Sequence, residues 1–373
     1  MSNASMVHGL SALRPRVSAV RLRTLVRFAG SVEAAWNAGD ALLEAAGFTT
    51  EAREVFAAHR RTWEVDAEAH RLHEGGITLV SESSPDYPEL LRHIYDPPLA
   101  LYVRGAFPPE GTRVAVVGSR NASPYGRSVT HALVRPLAAR GCTIVSGLAY
   151  GIDAEAHHAS LAVHGRTIAI LGSSVDDASL YPRAHRALAA EIVAQGGAVV
   201  SEFPPGTGAR PEHFPQRNRL LAGMSHAVVV IEASATSGAL ITARLALEEN
   251  REVLAVPGPI TSPLSAGTHR LIKEGAAPAC SAEDVLEALA LRDVLALPRA
   301  AEAAPAARAL AHPEGAPTET ADRILQILTL DPQPIDAVIA ASTLPPHEAS
   351  AALSLLELQG LARDVGGKQY VRC

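Results

Sequence analysis

The sequence predicts an α/β protein: a doubly wound, mostly parallel sheet, with a helical domain before it and a winged helix after it. Three observations carry that expectation. From residue 113 onward, short continuous apolar runs alternate with helical stretches, the pattern of strands buried on both faces and joined by crossover helices. Residues 11–70 hold only short helical stretches, punctuated at Gly30, Gly39 and Gly47. Residues 297–317 are rich in alanine and proline, and a second periodic segment follows them.

A chain of 373 residues is long enough for two or three domains. No apolar run approaches the ~18 residues of a membrane helix. The N-terminus lacks the apolar core of a secretory signal, so a cytoplasmic protein without membrane contact is expected. Cys142, Cys280 and Cys373 lie far apart and match neither a metal spacing nor a disulfide framework. The formal net charge of −6 argues against a chain coated for nucleic acid. Its distribution is more telling. Residues 112–230 carry eleven arginines against seven carboxylates, residues 231–290 four basic groups against eight acidic, and residues 318–373 four against seven. Lysine is confined to Lys273 and Lys368, so any phosphate contact falls to arginine or the backbone.

Taken in order, residues 1–4 are set outside the fold. Helices are expected at 17–28, 32–37, 40–46 and 50–70, making a helix-hairpin-helix-like unit over 11–70 whose favoured role is scaffold rather than DNA contact. Residues 71–110 read as a proline-rich connector with one strand at 77–81. The central domain spans 111–296, with strands at 114–117, 143–146, 167–171, 198–201, 227–231 and 252–256 and a short last strand near Pro278. Ser123-Pro124 supplies an N-cap and an N1 proline, Gly141 ends that helix, and Pro136 within it is expected to kink it. Ser281 and Asp284 resemble a capping box before a helix at 285–291. Residues 297–317 form a linker expected to be disordered. Residues 318–373 offer helices at 321–329, 335–341 and 346–359, a cap at Gly360, and strands at 361–364 and 369–372 joined by a turn at Gly366-Gly367. Three helices and a terminal hairpin make a winged-helix pattern.

The chemistry gathers at strand ends. The first central strand ends in Gly118-Ser119-Arg120 before a helix start, the arrangement in which free N–H groups and a positive helix end face an anion. Glycine and small residues recur after the other strands, at Gly147, Gly172, Gly206, Ser237-Gly238 and Gly258, which points to a backbone-lined groove along the carboxyl edge. Phe214-Pro215-Gln216-Arg217-Asn218-Arg219 adds an aromatic face and two more guanidinium groups, a combination suited to stacked bases and phosphates. A dinucleotide cofactor is disfavoured: the second and third fingerprint glycines and the ribose-binding acid are missing. The GxxxxGK[ST] phosphate loop is absent too. His157-His158 point to different helix faces and read as packed or solvated rather than as metal ligands. Asp153 reads as a capping residue and Glu202 as a hydrogen-bonding one, rather than as a catalytic pair.

Gly118-Ser119-Arg120, Ser146-Gly147-x-Ala149-x-Gly151-Ile152-Asp153, Ser201-Glu202, Phe214-Pro215-x-Arg217-Asn218-Arg219 and Ser237-Gly238-x-x-x-Thr242-Ala243 occur in that order. With this signature the chain resembles the DprA (Smf) family of DNA-processing proteins of natural transformation, over residues 75–290. The resemblance implies an extended Rossmann-like domain flanked by a SAM-like helical domain and a C-terminal winged helix. It implies binding of single-stranded DNA without sequence preference, protection of incoming strands, loading of RecA recombinase and displacement of single-strand-binding protein. It implies a homodimer through the Rossmann-like domain, no cofactor and no catalytic activity. The DNA-binding residues expected on this basis are Gly118, Ser119, Arg120, Gly147, Phe214, Gln216, Arg217, Asn218, Arg219, Ser237 and Gly238. Family members often carry lysine where Gln216 stands, which shifts weight to Arg217 or Arg219. Dimer and recombinase contacts are expected in the acidic stretch 231–290. The acidic balance of the winged helix favours protein contact over duplex binding. The alternative is an enzyme acting on nucleoside monophosphates, of the lysine-decarboxylase-like fold; the PGGxGTxxE motif of those enzymes is not matched by the loop at 234–240.

Overall fold

The computed structural model describes residues 2–296, 318–329, 333–358, 362–364 and 369–372. They fall in two compact units, Met1–Leu297 and Pro298–Cys373. The expected linker at 297–317, the cap at Gly360 and the turn at Gly366-Gly367 lie outside the described residues.

The first unit begins with six helices: α1 (Asn3–Ser11), α2 (Ala19–Ala29), α3 (Val32–Trp36), α4 (Asp40–Ala45), α5 (Thr50–Thr62) and α6 (Val65–Glu74). Of residues 1–4, set outside the fold by the sequence, 2–4 belong to it: the Ser2 hydroxyl caps α1 by accepting from the Ser5 N–H. Leu10, Leu13, Leu22, Leu25, Trp36, Phe48 and Phe56 fill a core of their own. The single helix expected at 50–70 is broken at Trp63, whose extended backbone ends α5. Its ring turns inward, edge-on to His8 and tilted against His59, each with centroids 4.9 Å apart.

The sheet follows, in the order β1 (Ile77–Ser81), β2 (Ala100–Gly105), β3 (Arg113–Val117), β4 (Thr143–Ser146), β5 (Thr167–Ile170), β6 (Ala198–Ser201), β7 (Ala227–Val230), β8 (Glu252–Ala255) and β9 (Ala277–Pro278). In space it runs β1-β2-β6-β5-β4-β3-β7-β8-β9. From β6 to β9 every pairing is parallel, whereas β2 runs antiparallel to both β1 and β6. The connector reading therefore misses β2. Proline pairs bracket its apolar run, and its antiparallel pairing breaks the strand–helix alternation that marks the others.

Helices α7 (Glu89–Arg92), α8 (Pro124–Ala139), α9 (Ile152–Leu161), α10 (Arg186–Ala194), α11 (His213–Gly223), α12 (Ala239–Glu248), α13 (Ala266–Lys273) and α14 (Ala282–Ala296) complete the unit. Alternation along β3 assigns the faces. Val114 and Val116 pack with α8, α9 and α14, and Ala115 and Val117 with α7, α11 and α12. Helix α8 runs through Pro136 to Ala139, where only its last turn follows the proline. The capping box is formed: the Asp284 carboxylate accepts from the Ser281 N–H, and the Ser281 hydroxyl accepts from the Asp284 N–H. Among the described residues, no helix is long and apolar enough to cross a membrane.

The second unit comprises α15 (Thr318–Ile327), β10 (Gln333–Pro334), α16 (Ile335–Ser342), α17 (Pro346–Leu358), β11 (Ala362–Asp364) and β12 (Gln369–Arg372). It is a winged helix around Ile324, Leu328, Val338, Leu353 and Leu356. The expected pattern lacked only β10, two residues that pair with β12.

Candidate nucleic-acid interface

The chain leaves β3 for β4, β5 and β6 on one side of the sheet, then returns to place β7, β8 and β9 on the other. The carboxyl ends of β3 and β7 are thus the switch point, where the connections part and leave a crevice. A groove of about 800 Å3 opens there. Gly118, Ser119 and Arg120 line it from the β3 loop, and Ser237 and Gly238 from the turn before α12. Phe214, Arg217 and Asn218 close it from α11.

Helical periodicity divides the 214–219 segment. Positions three and four apart share a face, so Phe214, Arg217 and Asn218 face the groove while Gln216 and Arg219 turn away. The exposed Gln216 side chain accepts from Arg14 Nη2 at 2.9 Å, and Arg219 donates to both Glu202 oxygens at 2.6 and 2.7 Å. Arg219 also pairs with Asp96 at 3.4 Å, and Arg14 with Glu202 at 3.1 Å. Arg14, Glu202, Arg219 and Asp96 thus make a buried chain of charges joining the helical domain to the sheet. Burial raises the Glu202 pKa, but Arg219 and Arg14 outweigh it and hold the carboxyl below its ordinary value. Gln216 and Arg219, expected on the DNA path, are tied to this junction and lie off the switch-point groove; Gln216 lines the neighbouring cleft toward the helical domain.

Arg120 is exposed and, among the described residues, makes no ion pair; its guanidinium lies over the Phe214 ring, 4.8 Å from the centroid. The ring is set by a close approach to Gly172, where a Cβ would lie 2.9 Å from Phe214 Cδ1. Tyr181 meets Phe214 edge-on at 6.0 Å, and Tyr150 stands beside it, each a little under half exposed. Around one unpaired arginine the chain therefore presents three aromatic rings.

Arg217 forms the floor. It is buried and donates from Nη1 to the carbonyl of Gly147 at 2.8 Å and to that of Ile170. Burial pulls its pKa down to about 10, against the pull of Asp153. Asp153 is buried too, which raises its pKa, and Arg217 opposes that rise. Gly147 is the residue that lets this pair pass beneath the β4 loop: a Cβ there would lie 2.4 Å from both Arg217 Nη1 and Asp153 Oδ2. Arg217 and Gly147 thus form the groove floor, with the buried guanidinium beneath it.

The helix end after β3 is not the anion site its sequence suggests. The Glu232 carboxylate already occupies it, accepting from the Ser123 N–H at 3.0 Å and the Ser123 hydroxyl at 2.5 Å. A carboxylate there satisfies the positive helix end as a phosphate would. The N-terminus that does open on the groove is that of α12, where Gly238 gives no side-chain cap.

Asp153 and Glu202 each carry their own arginine partners, so no free carboxylate pair forms. His157 is buried, with Nδ1 2.7 Å from Thr167 Oγ1, whereas His158 is exposed. Three groove residues escaped the sequence reading: Tyr150, Tyr181 and Arg210. Tyr150 sits inside the β4-loop motif, and an aromatic residue in that glycine-rich strand-end loop was the available signal. Nothing local marks Tyr181 or Arg210.

Residues 78–290 match the family model of DNA recombination-mediator protein A, and residues 301–368 that of the DprA winged helix domain. Protein Smf of Escherichia coli is 41% identical over 71% of this chain and 70% of its own length. Protein Smf of Synechocystis is 32% identical over the whole of both chains. The X-ray structure of DNA processing protein A from Streptococcus pneumoniae superposes with a TM-score of 0.64 at 32% identity, covering 77% of this chain and 98% of that one. The structure of DNA processing protein A from Helicobacter pylori, which addresses that protein's single-stranded DNA binding mode, gives 0.50 at 29% identity, covering 58% and 96%.

Proposed function

Because the chain belongs to the DNA recombination-mediator protein A family, we propose that it binds single-stranded DNA in the switch-point groove, without sequence preference and without catalysis. The observation that carries this reading is Arg120, exposed, without an ion-pair partner among the described residues, and stacked on Phe214. An unpaired guanidinium attracts phosphate, and an adjacent ring offers a base a stacking face that does not depend on its identity. The α12 end at Gly238 turns its positive dipole toward a second phosphate, while the Ala239 and Leu240 N–H groups are held by Ser237. Gly118, Ser119 and Asn218 line the path, and Gly147 and Arg217 support it from below. Duplex reading would require a helix fitted to the major groove, and the groove instead presents loops and rings.

The bound strand is handed to RecA, with displacement of single-strand-binding protein, by a homodimer of the Rossmann-like domain. In the acidic stretch 231–290, Leu247 and Ile260 are 61% and 91% exposed and suit such protein contacts. The winged helix serves as an accessory. Fluorescence anisotropy with a labelled oligothymidylate and a duplex of equal length tests the reading. Tight binding of the single strand, retained largely after removal of residues 318–373, is expected. Preference for duplex, or loss of single-strand binding on that truncation, overturns it. Faster RecA assembly on strands coated with single-strand-binding protein is the expected sign of the hand-over.

A further inference from the structure

We infer that a second cleft, between the helical domain and the loop after β6, carries the same single strand onward from the switch-point groove. The inference rests on the single-stranded DNA reading above. The cleft has a volume of about 560 Å3. Arg14, Arg16, Trp63 and Arg71 line it on the helical side, and residues 204–208 and Arg210 on the sheet side. Arg210 also lines the first groove, so one arginine borders both and the two surfaces are continuous.

The charge of the cleft is favourable for a polyanion. Four arginines line it against Glu68 and Glu212. Glu68 is paired with Arg71 at 3.2 Å, and Glu212 lies 4.0 Å from Arg210. Arg16 is exposed and has no ion pair among the described residues, the same condition as Arg120. Arg14 is buried and paired with Glu202, so it shapes the wall and leaves the strand to Arg16, Arg71 and Arg210. His59 and His213 add no charge near neutral pH, since burial lowers both below the usual imidazole value. Trp63, half-buried and packed against His8 and His59, presents only part of its ring at the wall.

The cleft is held at fixed width. The buried chain Arg14–Glu202–Arg219–Asp96 crosses from the helical domain to the sheet, and the Arg14 guanidinium lies 5.2 Å from the centroid of the Phe203 ring. A domain tied in this way presents Arg16 and Arg71 as part of one surface with Arg210. The helical domain is thereby assigned a direct part in strand binding, beyond that of a scaffold. An acidic peptide would satisfy the same charges, but continuity with the first groove favours the strand.

The test uses the full chain and two oligothymidylates, one of about 6 nucleotides and one of about 20, bracketing the span of a single site. Arg16→Ala with Arg71→Ala is expected to leave affinity for the short strand unchanged and to weaken the long one about tenfold, with a salt slope shallower by about 0.7 for each phosphate no longer neutralised. Both side chains project from the surface. Arg16→Glu, expected to weaken the long strand further, provides a second variant should the double one be unstable. Equal affinity of variant and wild type for the long strand overturns the inference, and so does an equal loss on both lengths. Retained long-strand binding with abolished binding of polyglutamate would assign the cleft to an acidic peptide and likewise overturn it. Failure of the wild type to bind the short strand contradicts the switch-point reading instead, so the two failures are distinguishable.

Discussion

The guanidinium of Arg120 lies 4.8 Å from the centroid of the Phe214 ring, joining the loop after β3 to α11 across the switch point of the sheet. Arg120 has no ion pair among the described residues, so the Phe214 ring, itself set against Gly172 and Tyr181, orients it. Arg120→Ala and Phe214→Ala should each weaken single-strand binding by about 1–3 kcal/mol while the protein stays folded. The double variant should lose less than the sum, with a coupling of about 0.5–1 kcal/mol. Anisotropy titrations of the four proteins of the cycle measure it, and strict additivity would show that the stacking does not organise the site.

Arg219 gives the opposite result. Its side chain is 12% exposed, and its partners Glu202 and Asp96 are 5% and 17% exposed. Removing Arg219 strips Asp96 of its ion pair and leaves Glu202 to Arg14 alone, at a cost of about 3–5 kcal/mol. Arg219→Ala is therefore expected to lower the urea midpoint sharply. Affinity for a short strand, measured on the fraction that remains folded, should stay near wild type. A stable Arg219→Ala protein that fails to bind would return Arg219 to the DNA path.

Gly147 is expected to tolerate no side chain. Its Cβ would press on two buried charged groups, Arg217 and Asp153, at 2.4 Å. Gly147→Ala should cost about 1–3 kcal/mol of stability and distort the groove floor, weakening binding as well. Gly111→Ala, where a Cβ meets open space, is the matched control. Equal stability of the two variants would contradict the packing of Arg217 under this loop.

Two buried histidines set an acid limit. Burial lowers His8 to about 4 and His157 to about 3, from 6.5. Thr167 Oγ1 donates to the Ile144 carbonyl at 2.8 Å, so it accepts from His157 Nδ1, and the buried Nε2 is left without a partner. The folded values lie below the unfolded one, so the unfolded chain takes up the proton first. Their stability contribution is intact above about pH 6.5 and is lost as pH falls towards the folded values, at about 1.4 kcal/mol per pH unit and histidine. The urea midpoint should fall between about pH 7 and pH 5, and His157→Gln should flatten the fall. A midpoint unchanged over that range would show that these rings are not buried neutral.

What the sequence made legible follows from periodicity. Strands β3 to β8 are continuous apolar runs with glycine or small residues after them, so their existence and the line of the groove could be read directly. Strand β2 could not: it pairs antiparallel within a proline-rich span. The residues of the site split along the same division. Arg120 and Phe214 belong to different motifs, and the fold brings both to one groove. That Gln216 and Arg219 face away follows from helix geometry within α11, but the acidic partner Glu202 lies at the end of the preceding strand, β6, and Arg14 in another domain. Such partners are set by tertiary packing. Glu232 shows the same limit, because a carboxylate more than a hundred residues distant fills the helix end that looked free.

The most direct test is the salt dependence of oligothymidylate binding by the wild type, Arg120→Ala and Gln216→Ala. A strand held by phosphate contacts gives a linear fall of log affinity with log salt, with a slope of about −0.7 per contact. The account predicts a steep slope for the wild type and for Gln216→Ala on a short strand, and weaker binding with a slope shallower by about 0.7 for Arg120→Ala. Wild-type affinity and slope in Arg120→Ala would contradict it.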